Sequence, residues 1–195
     1  MQQSLMHDHI TRHYQLYAPE VLQPTVHFRL VENLQRFTSE AGIAKKYAYQ
    51  SMSAFAKVPE IDWMRKYKSH RNDGVYGICF VKAKHCLPRM SAMVGACLRN
   101  YISAKVITLS DLIEGLKKGV KYDQDFLAIP NFALSQTAGG DIASWQVPAL
   151  LSLLLDRAMQ EKYTAVYIHS ISAVNIIYGK SMVDHLNEYF TMVSE

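Results

Sequence analysis

From about residue 75 onward, short apolar runs alternate with stretches whose apolar positions fall three and four apart. That alternation is the mark of strands joined by crossover helices, and so of a parallel sheet. VYGICFV (75–81) is an apolar, β-branched and aromatic run suited to a buried strand, and MSAMVGACLRNYI (90–102) supplies an amphipathic helix. AKVITLS (104–110) reads as a second strand. SDLIEGLKKG (110–119) reads as a helix with Ser110 as N-cap and Gly119 just past its end, and DFLAIPNF (125–132) as a third strand. A loop containing Gly139-Gly140 leads to a helix over 146–161, a strand at TAVYIHSIS (164–172) and a last helix over about 180–192.

The first third is patterned differently. Residues 1–17 are polar and rich in histidine, and Pro19 and Pro24 punctuate the stretch after them. Phe28, Val31, Leu34 and Phe37 then recur at helical spacing, with Gly42 where a C-terminal cap belongs, which predicts a helix of about 12 residues. Residues 43–74 carry two short helical patterns separated by Pro59 and close on the turn signal Asn72-Asp73-Gly74. The chain thus divides into an N-terminal arm and helix (1–41), a helical linker (42–74) and an α/β domain (75–195). The expected fold class is α/β, a three-layer parallel sheet flanked by helices with an N-terminal helical extension.

Composition narrows the classes. With 195 residues, 49% of them apolar and 19% charged, the chain has enough apolar matter to offset the entropy of ordering it. A net charge of +4 and a pI near 8.9 favour acidic partners without proving nucleic-acid binding. Cys79, Cys86 and Cys97 fall in a strand, a loop and a helix with no CxxC pair, and read as buried thiols. The N-terminal segment has no apolar core of signal-peptide type, and no run approaches the roughly 18 apolar residues of a membrane span, so no membrane is expected and the cytoplasm is the default location.

Taken in order, these elements resemble the bacterial AAA+ helicase loaders and the related transposition ATPases. GIAKKYAYQSMSAF (42–55) stands where that family has its Gly-Ile-Pro-like entry, and VITLSDLIEGLKKG (106–119) matches its second strand and helix. LLSLLLDRAMQEKYTAVYIHSIS (150–172) is similar to its Asp-Arg helix leading into the sensor strand, and YGKSMVDHLNEYF (178–190) to its arginine-bearing tail. The resemblance implies an AAA+, P-loop-like core.

It also implies nucleotide chemistry whose residues are missing. A P-loop needs Gly-x-x-x-x-Gly-Lys-Ser/Thr, because glycines let backbone N–H groups curl around phosphates while Lys and the hydroxyl serve charge and magnesium. The matching stretch, VKAKHCLPRMS (81–91), contains no glycine, and Leu87 and Pro88 stand where Lys and Ser/Thr belong. Lys82, Lys84, His85 and Arg89 offer charge for an anion, or simply a solvated basic loop. Pro130 and Asn131 replace the acidic pair that would hold magnesium. His169 and Ser170 are either polar readers at the sensor strand or the end of that strand and the cap of a loop. His185 replaces the arginine that would act on a neighbouring subunit. No cofactor and no catalysis are therefore expected.

Three further groupings stand apart. His9 and His13 share a helical face, with His7 and Asp8 nearby, but a closed metal shell is not expected so near a terminus. Lys45, Lys46, Trp63, Arg65, Lys66, Tyr67, Lys68 and Arg71 interleave cations and rings, which suits single-stranded nucleic acid or a linker packed on its domain. Phe28, Val31, Leu34 and Phe37 form an apolar stripe for a partner's groove or for the core. The leading expectation is a non-catalytic replication protein of a phage, plasmid or other mobile element, bound to a replicative helicase or its loader as adaptor or inhibitor. The alternative is a DNA-binding accessory in replication or transposition that uses the basic-aromatic segment.

Overall fold

In a computed structural model of the protein, residues 24–134, 143 and 146–194 are described, with side chains from residue 32 onward. Five strands form one sheet in the order β2-β3-β4-β1-β5, every neighbouring pair parallel: β1 Gly77–Val81, β2 Ala104–Val106, β3 Phe126–Ala133, β4 Tyr163–Ile168 and β5 Phe190–Ser194. The helices are α1 Pro24–Glu40, α2 Lys45–Tyr49, α3 Val58–Arg65, α4 Cys86–Arg99, α5 Leu109–Lys117, α6 Gln146–Met159, α7 Ile171–Tyr178 and α8 Lys180–Tyr189. Short 3-10 turns lie at Met52–Ala54 and His70–Asp73.

The order of strands dictates where helices go. The crossover from β1 to β2 travels one way across the sheet, and those from β2 to β3, β3 to β4 and β4 to β5 travel the other way. Right-handed crossovers of opposite travel must lie on opposite faces. The core divides accordingly. One cluster gathers Ile78, Phe80, Phe126, Ala128 and Ala165 under α1 to α4, and the other gathers Cys79, Leu127, Ile129, Val166 and Ile168 under α5 to α8. Both faces being covered, strand residues of either parity are buried, which is why these strands are continuously apolar in sequence. Each fully buried Phe, Leu or Ile among them contributes about 1.5–3 kcal/mol.

Segment 42–74 shares the first of these clusters: Ile43, Ala48, Met52 and Trp63 pack with Phe80 and Met90. Gly95 lets α2 approach α4, since a Cβ there would stand 2.0 Å from the Tyr47 carbonyl oxygen. On the other side, Arg157 is 2% exposed and donates to the Thr164 hydroxyl and to the carbonyls of Tyr122, Gln124 and Tyr163, tying α6 to the starts of β3 and β4. Desolvation lowers its pKa to about 10, so it remains a cation at neutral pH.

Several sequence expectations are corrected. The first helix is longer than 12 residues and begins at Pro24, because proline at a first helical position loses no bonded N–H. Pro59 does not separate two helices but lies in the first turn of α3 for the same reason. The N-cap of α5 is Thr108, not Ser110: Thr108 is extended, its hydroxyl accepts the Asp111 N–H at 3.2 Å, and Leu109 is thereby carried into the core. The helix expected over residues 90–102 starts at Cys86, which places Cys86 in a helix and not a loop. The last helix stops at Tyr189, and Phe190–Ser194 forms a fifth strand beside β1. Residues 171–178, read from sequence partly as strand, form α7. All three cysteines are buried and free. No helix among the described residues is long and apolar enough to cross a membrane.

Candidate functional site

In open parallel sheets, ligands sit beyond the carboxyl ends of the strands, where neighbouring strands send their chains to opposite faces. Here β1 continues into α4 on one face and its neighbour β4 continues into α7 on the other. The β1–α4 turn, the end of β3 and the end of β4 therefore define the place to inspect.

The β1–α4 turn is four residues long, Lys82 to His85. Lys82 and His85 have φ of 52° and 53°, a left-handed backbone that non-glycine residues seldom adopt. The Lys82 N–H donates to the Ile168 carbonyl at 3.0 Å, which fastens the turn to β4. Ala83 and Cys86 are buried, and burial pushes the Cys86 thiol up to about 12. Lys84, His85 and Leu87 are exposed, and Pro88 is half-buried.

Arg89 does not face solvent. It is 1% exposed, and its guanidinium donates through Nε and Nη2 to both oxygens of Glu60, which is 0% exposed on α3. Nη1 reaches the Lys84 carbonyl at 3.4 Å, and the guanidinium carbon lies 5.0 Å from the centre of the Phe80 ring. Glu60 also accepts the Lys57 N–H at 2.7 Å, which satisfies the N-cap backbone donor at the start of α3. A buried ion pair balances its desolvation only when both partners are well bonded, and these are. The sequence reading of Arg89 as an anion-attracting surface cation is thus corrected: the anion is Glu60.

At the end of β3 the register slips. Ile129 opposes Val166 and Ala133 opposes Ile168, so Pro130 and Asn131 fall in an irregularity where a missing ladder N–H costs little. Asn131 Oδ1 accepts the Leu109 N–H at 2.8 Å, so this amide secures the start of α5. At the end of β4 the His169 N–H donates to the Ala133 carbonyl at 2.6 Å and its side chain is exposed. Ser170 caps α7 by accepting the Ala173 N–H. His185 is not part of this edge. Met182, His185 and Leu186 form the buried stripe of α8, and the imidazole packs against Tyr189 and Phe190 with ring centres 4.9 and 5.8 Å away. It is 5% exposed, which removes it from any contact with a neighbouring subunit. Neither ring nitrogen has a hydrogen-bond partner, and desolvation, opposed by Glu188, lowers its pKa.

No protein-family model matches the sequence, nor does any curated protein. Solved structures do match. The DnaC helicase loader superposes with a TM-score of 0.57 at 15% identity, over 77% of this chain and 99% of that one. The fold is that of the DnaC helicase loader. A DNA replication initiation factor gives 0.54 at 11% identity over 73% of this chain, and AMPPCP-bound DnaA from Aquifex aeolicus gives 0.52 at 12% over 76%. This chain spans about half the length of those two, 49% and 50% respectively.

Within this helicase-loader fold the basic-aromatic segment crosses from the carboxyl edge to the amino edge of the sheet. Trp63 is 3% exposed and stacks on His70 at 4.5 Å, so it is unavailable to a base and follows the packed-linker alternative offered by the sequence, not the nucleic-acid one. Tyr67 packs against Tyr163 and donates to the Asp125 carbonyl at 3.4 Å, and burial raises its pKa far above the usual phenol value. The cations remain outside: Lys45, Lys46, Arg65, Lys66, Lys68 and Arg71 are exposed, with Lys46 over the Tyr47 ring, Arg65 bonded to Asp62 at 2.9 Å and Arg71 at 3.6 Å from Glu161. Of the apolar stripe on α1, Leu34 is 1% exposed in the protein's own core and Phe37 is half-buried, so Leu34 is not offered to a partner. The side chains of Phe28 and Val31, and the whole of His7, Asp8, His9 and His13, lie outside the described residues. Among the described residues, no three His, Cys, Asp or Glu side chains converge as a metal site.

Sequence reasoning missed Glu60. Nothing local in Lys57-Val58-Pro59-Glu60 says that this carboxylate meets an arginine 29 positions later.

Proposed function

We propose that this chain is a non-catalytic DNA-replication protein that binds a replicative helicase or its loader, as adaptor or inhibitor. One observation carries the reading: in a helicase-loader fold, the turn after β1 is closed around the protein's own Glu60–Arg89 pair. A phosphate cradle needs a run of free backbone N–H groups. In this turn the Lys82 N–H is spent on Ile168, and Pro88, in the first turn of α4, has none to give. Magnesium prefers anionic oxygen ligands, and Pro130 and an Asn131 already bonded to Leu109 supply none. A scaffold that keeps its sheet while these groups are absent is left with binding as its task.

The partner is suggested by the neighbours, which are named as a helicase loader, a DNA replication initiation factor and the replication initiator DnaA. Size-exclusion chromatography of the chain with the host's helicase and with its loader tests this, and co-elution with one of them is the expected result. Migration apart from both sinks the proposal. Calorimetric titration with Mg-ATP is expected to give no binding at micromolar concentration, and a clear micromolar isotherm would overturn the non-catalytic part. A second reading, a DNA-binding accessory protein, is favoured by the cations Arg65, Lys66 and Lys68 that line one cavity.

A further inference from the structure

A cavity of about 420 Å³ opens between residues 64–69, at the end of α3, and the last turn of α4. Because α4 runs back from the end of β1 to the start of β2, this is the amino edge of the sheet, away from the closed turn after β1. The lining has two characters. Met64, Ala96 and Ile102 are half-buried and pack on the first core cluster, so the inner part is apolar. Arg65, Lys66 and Lys68 are exposed and supply its charge, and among the described residues no Asp or Glu lines it.

Two of these cations are not neutralised. Arg65 bonds Asp62 at 2.9 Å and nearby Arg71 lies 3.6 Å from Glu161, whereas Lys66 and Lys68 have no acidic partner among the described residues. They bring like charges to one opening, a repulsion that an anionic occupant relieves. A nucleic acid is anionic, but it is held by a cationic track with aromatic faces for its bases. The rings here are engaged elsewhere: Trp63 stacks on His70 and Tyr67 packs against Tyr163. What lies beneath the lysines is a pocket with aliphatic walls, which suits one apolar side chain flanked by carboxylates.

We infer that this cavity receives an acidic segment of a partner protein, held by Lys66 and Lys68 and anchored by one apolar side chain against Met64, Ala96 and Ile102. The division of labour is that of protein interfaces in general, where a desolvated apolar anchor supplies affinity and charges at the rim supply steering and choice of partner. The inference deepens the partner-binding reading, on which it rests, by giving the chemistry of the segment recognised.

The test is fluorescence anisotropy of the full chain with a labelled peptide that carries a phenylalanine between two short runs of glutamate. Binding that weakens with salt is expected, and serine in place of the peptide's phenylalanine is expected to weaken it about tenfold, since the ring is no longer buried. Lys66→Glu with Lys68→Glu is expected to weaken it by about tenfold or more. Lys121→Glu with Lys180→Glu, the same change of charge at exposed positions elsewhere, is expected to stay within about twofold. Urea midpoints matching the wild type confirm that the variants are folded. No binding of the peptide, or binding indifferent to Lys66 and Lys68 or to the phenylalanine, overturns the site. So does an oligothymidylate that displaces the peptide at equal charge concentration and depends on the same two lysines, which assigns the cavity to nucleic acid. Size-exclusion chromatography with the helicase and with the loader is then repeated on the Lys66→Glu, Lys68→Glu chain, and loss of co-elution is expected. Co-elution that survives overturns this site and leaves the partner-binding reading standing, whereas a wild-type chain that migrates apart from both partners sinks that reading itself.

Discussion

At the scale of single residues, the chemistry of this fold is settled by which charges meet inside it. Removing one member of the Glu60–Arg89 pair strands the other where water does not reach, and such losses cost about 3–5 kcal/mol. Arg89→Met is therefore expected to lower the unfolding free energy by that amount in urea titrations. The double variant Glu60→Met with Arg89→Met leaves no charge behind and is expected to lose less than Arg89→Met alone; an equal or larger loss would contradict the role given to the pair. His185 makes a prediction about pH. Its imidazole is held neutral by burial, with a pKa below the ordinary 6.5. The unfolded chain thus takes up a proton first as pH falls, so the contribution of this residue is complete above 6.5 and declines as pH drops through the lowered folded value. His185→Leu is expected to flatten that part of the stability profile, measured as urea midpoints across pH 7 to 5.

At the scale of elements, the two hydroxyls near the start of α5 separate cleanly. Thr108→Ala removes the cap bond to Asp111 and is expected to cost about 1 kcal/mol, whereas Ser110→Ala, exposed inside the first turn, is expected to stay within about 0.5 kcal/mol in thermal or urea unfolding. The sequence favoured Ser110 because it precedes the acidic, apolar stretch, and it could not show that Leu109 must be helical to reach the core. The same limit recurs elsewhere. The buried strands β1, β3 and β4 and the helices α4 and α6 were legible because apolar runs and three-four spacing are local properties. β5 was not, since His185, Leu186 and Phe190 continue a helical pattern across Tyr189, and only pairing with β1 shows where the helix stops. The carboxyl-edge positions could be read residue by residue against a resemblance, while the partners that close them, Glu60 for Arg89 and Leu109 for Asn131, are contacts over 29 and 22 positions that no local pattern encodes.

At the scale of the whole molecule, the sheet is built outward from a strand that comes early in the described chain. β1 lies between β4 and β5, and Phe190 covers Gly77, where a Cβ would stand 2.2 Å from the ring. Phe190→Ala is expected to cost about 3–5 kcal/mol by chemical denaturation, since it empties the contact that joins β5 to β1, while Met192→Ala, more than a third exposed on the same strand, is expected to change little. The strand order has a consequence for how the protein is made. β1 leaves the ribosome long before its neighbours, for Gly77 pairs with Thr164 and Phe190, some 90 and 110 residues downstream. Throughout that interval the nascent chain carries an apolar segment with no strand on either side, the kind of segment that recruits chaperones or sticks to its copies. Native assembly is therefore a late event in synthesis, completed only when the segment from Tyr163 onward has emerged to enclose β1.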